Sequence, residues 1–333
     1  MNALILTDGK PGHENQSVAL CRHLGLDYEL ATVSYSCKAA KALSYLFDRF
    51  GWRTSRIFQM SEIRSQMSGV SDPSPRRPLS SDLRPLSFDL IISTGSTSFY
   101  PNKVIARKLG IPNVAILNPK GYRPDFSAIL CPAYDHPPQR DNITELPLNL
   151  CAADPTFFEE KAAEFKTKHT AQAPATGFII GGPNAVSEID PAALKEKLEQ
   201  AFALTDGCER WVTTSRRTPK EVEQILEALP FDYRLINSRD SYNPVPAFIQ
   251  LCNRLFVTSD SASMVSEAAS FGTAKVEILM NSQLKTPNKF EELIQGLEKQ
   301  NAVHVFDGTL GSADQKIDLQ PILKEALKPL LPK

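Results

Sequence analysis

Ala3-Leu4-Ile5-Leu6-Thr7-Asp8-Gly9-Lys10-Pro11-Gly12-His13-Glu14-Asn15-Gln16 decides the fold. An apolar run, a glycine turn and the helical pattern from Val18 to Leu24 spell strand, turn, helix. That is the first unit of a nucleotide-binding type of α/β domain. The turn places an acid, Asp8, a lysine, Lys10, and a histidine, His13, at the carboxyl end of the first strand, where such folds hold ligands. Gly9 and Gly12 permit close backbone approach, and the helix N-terminus behind them favours an anion. With Lys10, Glu14 and Gln16 they form a candidate acceptor or phosphate loop. The spacing Gly-x-x-Gly is neither G-x-G-x-x-G nor a Walker loop, so the turn reads as catalytic or sugar-facing, not as an NAD or ATP cradle. His13 suits a general base near neutral pH, with Asp8 or Glu14 orienting or replacing it; the plainer reading of Asp8 is a cap on the turn.

Working outward, short apolar runs at 4–6, 88–92, 178–180, 210–212 and 255–257 each end in a Gly/Ser/Thr/Asp turn before a helical stretch. Further strands are expected at 113–117, 128–130, 233–236, 275–278 and 303–306. Strands alternating with helices indicate parallel βαβ sheets. Residues 88–96, followed by a helix, Gly110 and a strand, echo residues 255–261, followed by a helix, Gly272 and a strand. One supersecondary plan used twice points to an α/β protein with two Rossmann-like domains. At 333 residues the chain exceeds what a single core usually supports. The expected layout is an N-terminal domain over 1–155, a linker over 156–175 that opens with a charged helix at 157–168, a second domain over 176–312, and a terminal helix within 313–333 that folds back on the first domain.

The formal net charge is −1, so nothing points to nucleic acid. Residues 1–150 hold 17 Lys+Arg against 13 Asp+Glu, and residues 151–333 hold 20 against 25. A basic first half suits an acidic or membrane-surface ligand. Leu43, Leu46, Phe47 and Phe50 lie on one helical face, with Lys38, Lys41, Arg49, Arg53 and Arg56 around them and Trp52 near the end. This stripe either faces the core or touches anionic lipid. The Ser-, Pro- and Arg-rich stretch 61–87 reads as a long loop. The six cysteines show no Cys-x-x-Cys spacing, so neither a metal site nor a disulfide scaffold is expected. Without a signal-like start or an apolar run near the ~20 residues of a membrane span, the expectation is a cytoplasmic protein, at most peripheral at the inner membrane.

In the second half, Gly181-Gly182-Pro183-Asn184 ends a strand and offers backbone amides to a diphosphate or the reacting sugar, or is a plain tight turn. Thr213-Thr214-Ser215-Arg216-Arg217-Thr218-Pro219 gathers hydroxyls and two arginines at the next strand end, a composition suited to phosphate oxygens. Ser259-Asp260-Ser261-Ala262-Ser263-Met264 opens a helix, where small hydroxyl residues hold phosphate and Asp260 complements the dipole. Glu267, further along that helix, is placed to accept hydrogen bonds from ribose hydroxyls. Asn243-Pro244 starts another helix and would wall a flat base.

Taken together, 8–16, 181–183, 213–219, 243–248 and 259–268 resemble the mitochondrial-fission family named after a plant "elongated mitochondria" protein. Many of its bacterial members are assigned as glycosyltransferases of surface polysaccharide, lipopolysaccharide included. The resemblance implies a GT-B-like architecture of two Rossmann-like domains facing across a cleft. It further implies a nucleotide-diphosphate sugar as donor and substrate, with no separate cofactor, and a cell-surface glycan or lipid-linked acceptor. The Thr-Ser-Arg-Arg-Thr-Pro element stands at 214–219 and Ser-Met-x-Ser-Glu at 263–267. One departure is the turn Gly95-Ser96-Thr97-Ser98, where relatives carry arginines. The turn at Gly9, Gly12 and His13 also looks like the glycine loop of lipid-linked N-acetylglucosaminyl transferases. No Asp-x-Asp occurs, which fits metal-independent transfer. Two other classes stay open: a non-catalytic scaffold in membrane remodelling, and a nucleotide-sugar epimerase or dehydrogenase, which would want G-x-G-x-x-G and Tyr-x-x-x-Lys, neither present.

Overall fold

Strand β1 (Asn2–Thr7) leads through the glycine turn into α1 (Pro11–Leu24) and back to β2 (Asp27–Tyr35). Residues 3–6 are fully buried, as a parallel strand covered on both faces must be. The computed structural model describes residues 1–61, 63–66, 88–151 and 155–331. It divides into two units, Met1–Ala153 with Leu319–Lys333, and Asp154–Asp318.

In the first unit α2 (Lys38–Arg49), β3 (Phe58–Met60), β4 (Arg64–Gln66), β5 (Leu90–Thr94), α3 (Phe99–Leu109), β6 (Asn113–Ile116), β7 (Ala128–Pro132) and β8 (Ile143–Leu146) follow. The strand order is β3-β2-β1-β5-β6-β7-β8, with β4 also paired to β2. Ladders from β2 through β8 are parallel, while β3 and β4 run antiparallel to β2. The stretch expected as a loop over 61–87 therefore begins with a strand; most of the rest lies outside the described residues.

The second unit comprises α4 (Pro155–Lys168), β9 (Ala175–Ile180), β10 (Ser187–Glu188), α5 (Pro191–Leu204), β11 (Glu209–Thr214), α6 (Lys220–Ala228), β12 (Tyr233–Leu235), α7 (Val245–Leu251), β13 (Arg254–Thr258), α8 (Ala262–Ser270), β14 (Lys275–Leu279), β15 (Ser282–Gln283), α9 (Lys289–Lys299) and β16 (His304–Val305). Its main sheet, β12-β11-β9-β13-β14-β16, is parallel throughout. Both Rossmann-like domains of the expected GT-B-like pair are thus present.

The two sheets share a plan. In each, the first strand is central, the next long strand lies on one side, and the third on the other. The order reverses between β1 and β5 in the first unit and between β9 and β13 in the second, and ligands of open α/β sheets bind at such points. The echo read from sequence corresponds to β5-α3-β6 and β13-α8-β14, whose Gly110 and Gly272 take φ of 70° and 68° after their helices.

Three expectations change. In residues 156–175, read as a linker that opens with a charged helix over 157–168, that helix is α4, and it belongs to the second unit. Its Phe158, Ala162 and Phe165 are buried, Phe165 against Trp211, Tyr233 and Phe248. The terminal segment splits: 313–318 stays with the second unit, while α10 (Gln320–Leu327) packs on α1, with Leu323 and Leu327 buried and Gln320 Nε2 donating to the His23 carbonyl at 3.2 Å. The stripe of α2, read as either core-facing or lipid-facing, divides: Phe47 packs on the core with Tyr45, and the polar Ser44 and Asp48 are buried beside them. Ala40, Ser44 and Asp48 are buried, while Leu43, Leu46 and Phe50 are exposed. A buried network holds that orientation: Ser44 bonds Tyr122 at 2.8 Å, and Lys103 Nζ reaches both Asp48 oxygens at 2.9 and 3.0 Å. Arg53 lies 3.2 Å from the same carboxylate. A satisfied polar cluster of this kind can hold a helix face inward that apolar patterning would have turned out.

Candidate functional site

At the switch point of the first unit, Asp8 is nearly buried and His13 is partly exposed. His13 Nδ1 lies 3.0 Å from Asp8 Oδ1, and Lys10 Nζ lies 3.0 Å from Asp8 Oδ2. Burial by itself would raise the Asp8 carboxyl, but the Lys10 ammonium and the His13 ring outweigh it and hold the pKa below the ordinary value. A carboxylate only accepts, so Nδ1 carries the ring proton toward Asp8 and leaves Nε2 as the basic nitrogen. The ring packs onto the turn after β5: a Cβ on Gly95 would lie 2.4 Å from His13 Cε1. Gly95, at φ 87°, is therefore required twice, by its backbone and by the imidazole. Ser17 Oγ and Thr94 Oγ1, 2.8 Å apart, tie α1 to β5 beneath this contact.

Gly9 sits at φ 78°, and a side chain at Gly12 would meet nothing within 4 Å, so space opens above the loop. Glu14 lies in the first turn of α1, where its charge suits the helix dipole. Gln16 is buried, with its Oε1 lacking a hydrogen-bond partner among the described residues. The turn 95–98, arginine-free in sequence, receives a cation from elsewhere: Lys41 of α2 donates to Ser96 and Thr97, each at 3.2 Å. Lying 55 residues upstream of Ser96, it gave no local signal.

The second unit repeats the arrangement with roles exchanged. Gly181 and Gly182 follow β9, and Asp260 follows β13. A Cβ on Gly181 would fall 2.1 Å from Asp260 Oδ1, and one on Gly182 would fall 2.1 Å from the Arg217 carbonyl. Asp260 is buried and fully engaged: it accepts from the Gly182 amide at 3.1 Å, from Thr258 Oγ1 at 2.7 Å and from Arg217 at 2.6 Å. Thr258 Oγ1 in turn accepts from the Gly181 amide at 2.7 Å. Arg217 also donates to the Pro183 carbonyl at 3.0 Å, and Asn184 donates to the Asp260 carbonyl at 3.1 Å. Thr218 closes the cluster by donating to the Gly181 carbonyl at 2.6 Å and accepting from the Ser215 amide at 2.9 Å. Ser215 Oγ accepts from the Arg217 amide at 3.1 Å.

Several assignments from sequence are refined by this geometry. Asp260 is spent on Arg217 and the glycine turn, not on the α8 dipole. Arg217 keeps N–H groups for a ligand, but its charge is already matched; Arg216 beside it is exposed. Thr214 accepts from the Asn237 amide at 2.8 Å and Ser259 from the Asn281 amide at 3.0 Å, so both lock neighbouring loops. Ser261 caps α8 by accepting from the Met264 amide at 3.4 Å. Ser263 and Glu267 stand one turn apart on one face of that helix, with Met264 half-buried beside them. Glu267 is half-buried in surface, yet the atoms packed around its carboxyl push its pKa up to about 7. Asn243 only accepts from the Val245 amide, at 3.2 Å, and Pro244 is buried at the start of α7, so neither joins the cluster. Within the motifs read from sequence, Asn184 and Thr218 turn out to position the turns, and Thr258, which lies outside those motifs, joins them; each bonds across 37 or more positions of chain.

Two Rossmann-like units, each with a prepared switch point, define a protein of the two-domain α/β class. The chain belongs to the family described as mitochondrial fission ELM1, whose model matches residues 11–326. No curated protein matches it. Among solved structures it is similar to Anabaena HepE in complex with UDP-glucose, at 9% identity over 99% of both chains and a TM-score of 0.48. It is also similar to the UDP-GlcNAc 2-epimerase of Neisseria meningitidis bound to UDP-GlcNAc, at 12% identity over 99% of this chain and 100% of that one, TM-score 0.48. The E. coli ADP-heptose LPS heptosyltransferase II is similar at 10% identity, over 90% of this chain and 99% of that one, TM-score 0.42.

Proposed function

We propose that this protein is a glycosyltransferase that moves a sugar from a nucleotide-diphosphate sugar to a glycan or lipid-linked acceptor. The observation that carries the reading is the second switch point, where a glycine turn, an oriented arginine and the amino end of α8 converge. Amides at Gly181–Gly182 and at the start of α8, with Arg216, Arg217 and Ser263, would receive the diphosphate. Glu267, on the Ser263 face, would accept hydrogen bonds from the ribose hydroxyls. In the first unit, Lys10 and Lys41 offer cations to the acceptor, and His13 Nε2 takes its proton. The acceptor oxygen forms a bond to the anomeric carbon. The bond from that carbon to the diphosphate breaks with its electrons on the diphosphate, and the hydroxyl proton passes to His13. Asp8 orients the ring and stabilises the imidazolium formed.

Calorimetric titration with UDP, GDP and CMP tests this, with Arg217→Ala and Glu267→Gln as controls. Saturable binding of one nucleotide, weakened in both variants, is expected. Binding of none of them would overturn the reading in favour of a scaffold. Proton NMR of the bound nucleotide's sugar conjugate, without acceptor, separates a further case: inversion of a ring carbon would make the protein an epimerase.

A further inference from the structure

We propose that the outward face of α2, with the turn that follows it, docks this protein on an anionic lipid bilayer. Leu43, Leu46, Phe50 and Trp52 are exposed by 41, 46, 61 and 60%. Only two other large apolar side chains are comparably exposed among the described residues, Leu204 and Leu284, both in the second unit. Ala39 and Ala42 extend the same exposed stripe. Isolated apolar residues at a surface need no explanation, but a contiguous helical stripe ending in an aromatic cluster does. Trp52 packs against Phe47 and Phe50 with ring centroids 5.6 and 5.7 Å away, so the tip is a preformed wedge.

The exposure is built in. The inward side of α2 is committed to Ser44–Tyr122 and to Asp48 with Lys103 and Arg53, so rotating the helix to bury the leucines would strand those groups. Leu43, Leu46, Phe50 and Trp52 are therefore held off the core, while Phe47 alone of the stripe packs on it.

Charge selects the occupant. Over residues 37–56 the one acid, Asp48, is buried and paired with Lys103 and Arg53, and Lys41 is bonded to Ser96 and Thr97, while Lys38, Arg49 and Arg56 stand exposed. Beside the aromatic tip opens a cavity of about 500 Å³ whose lining includes Arg53, Lys103, Arg107 and Arg123 with the acid Asp125 among them. Apolar and aromatic side chains framed by Lys and Arg are the signature of a helix lying in the interface of an anionic membrane. Among the described residues no helix is long and apolar enough to cross a membrane, so the contact is with the surface layer. The inference is independent of the transfer reading: nucleotide binding by the second unit can fail while vesicle binding persists.

The test is co-sedimentation of the full chain with vesicles of phosphatidylcholine alone and of phosphatidylcholine with phosphatidylglycerol, alongside tryptophan emission. Of the two tryptophans Trp211 is buried and donates to Glu209 at 2.7 Å, so a spectral change reports Trp52. Expected are binding to the anionic vesicles only, a blue shift of emission, and reversal by salt. Phe50→Ser with Trp52→Ser should cut the partition coefficient by about tenfold or more. Arg49→Glu with Arg56→Glu should abolish the preference for anionic lipid. These side chains are exposed, so melting temperature should stay at the wild-type value in both variants. Absence of vesicle binding at low salt, or binding that neither variant weakens, would overturn the proposal. Self-association that Phe50→Ser with Trp52→Ser dissolves, without vesicle binding, would overturn it in favour of a second copy of the chain.

Discussion

The two switch points solve one packing problem in opposite ways. In the first unit the turn after the central strand supplies the side chain, His13, and the turn across the switch supplies the glycine, Gly95. In the second unit the central strand supplies the glycines, 181 and 182, and the turn across supplies the side chain, Asp260. The consequences differ. His13 keeps one nitrogen unengaged by Asp8 at a partly exposed site, which suits proton transfer. Asp260 is buried with its charge matched by Arg217, which suits a rigid cradle. Under the proposed transfer, the first unit would supply the base and the second would hold the donor.

The strongest way to break this contrast is Asp260→Ala. It would leave Arg217, Thr258 and the Gly182 amide without their shared acceptor. Because Arg217 is exposed and only the Thr258 and Gly182 donors are stranded in the interior, a loss of about 1–3 kcal/mol is expected in urea unfolding, with nucleotide binding abolished. A smaller loss would mean that Asp260 is not the keystone of the second site. His13→Asn should lower turnover by about a thousandfold with little change in melting temperature. Steady-state kinetics that leave kcat unchanged would remove the base from the first unit. Gly95→Ala combines left-handed strain with a clash on the imidazole. It should cost about 1–2 kcal/mol and displace the ring, seen as a changed His13 shift by NMR.

The smallest effects are the pH dependences of two carboxyls, which run in opposite directions. Asp8 has a lowered pKa, so its stabilising contribution is present above its unfolded value of 3.8 and is lost as pH falls through the folded one. The stability difference between wild type and Asp8→Asn should hold near neutrality and shrink below about pH 4. Glu267 is raised from 4.5 to about 7, so the folded state binds the extra proton in that window and stability falls as pH rises across it. Glu267→Gln should therefore gain on wild type between those values and plateau above them, as melting curves at several pH values would show. Parallel profiles for the two variants would contradict the assignment of distinct environments.

Much of the fold was readable because buried parallel strands are short apolar runs, and β1, β5, β9, β11 and β13 all declare themselves that way. β2 does not: only alternate stretches of Asp27–Tyr35 are buried, so it lacks a continuous apolar run. β10 and β15 are two residues each and exist only through pairing with each other. At the sites, Asp8 and His13 were legible because one local turn holds both. Gly95 and Lys41 were not, since each reaches its partner from a distant element. The residues of 214–219 were legible as a cluster, but their division into free and engaged groups was not. Thr214 and Thr218 look alike in sequence and bond to different loops.

The sequence by itself determined the alternation of strands and helices, the two halves, the family and the turns where chemistry could sit. Each of these depends on local period, composition or motif, which a linear chain displays directly. Tertiary structure alone decided which turn meets which across each switch point, and that Asp260 neutralises Arg217. It also decided that Leu43 and Leu46 of α2, with Phe50 and Trp52 after it, face outward while Tyr45 and Phe47 pack on the core. A stripe of apolar residues states only that one face is apolar; the buried Asp48–Lys103 pair, contributed by two separate helices, decides where that face points.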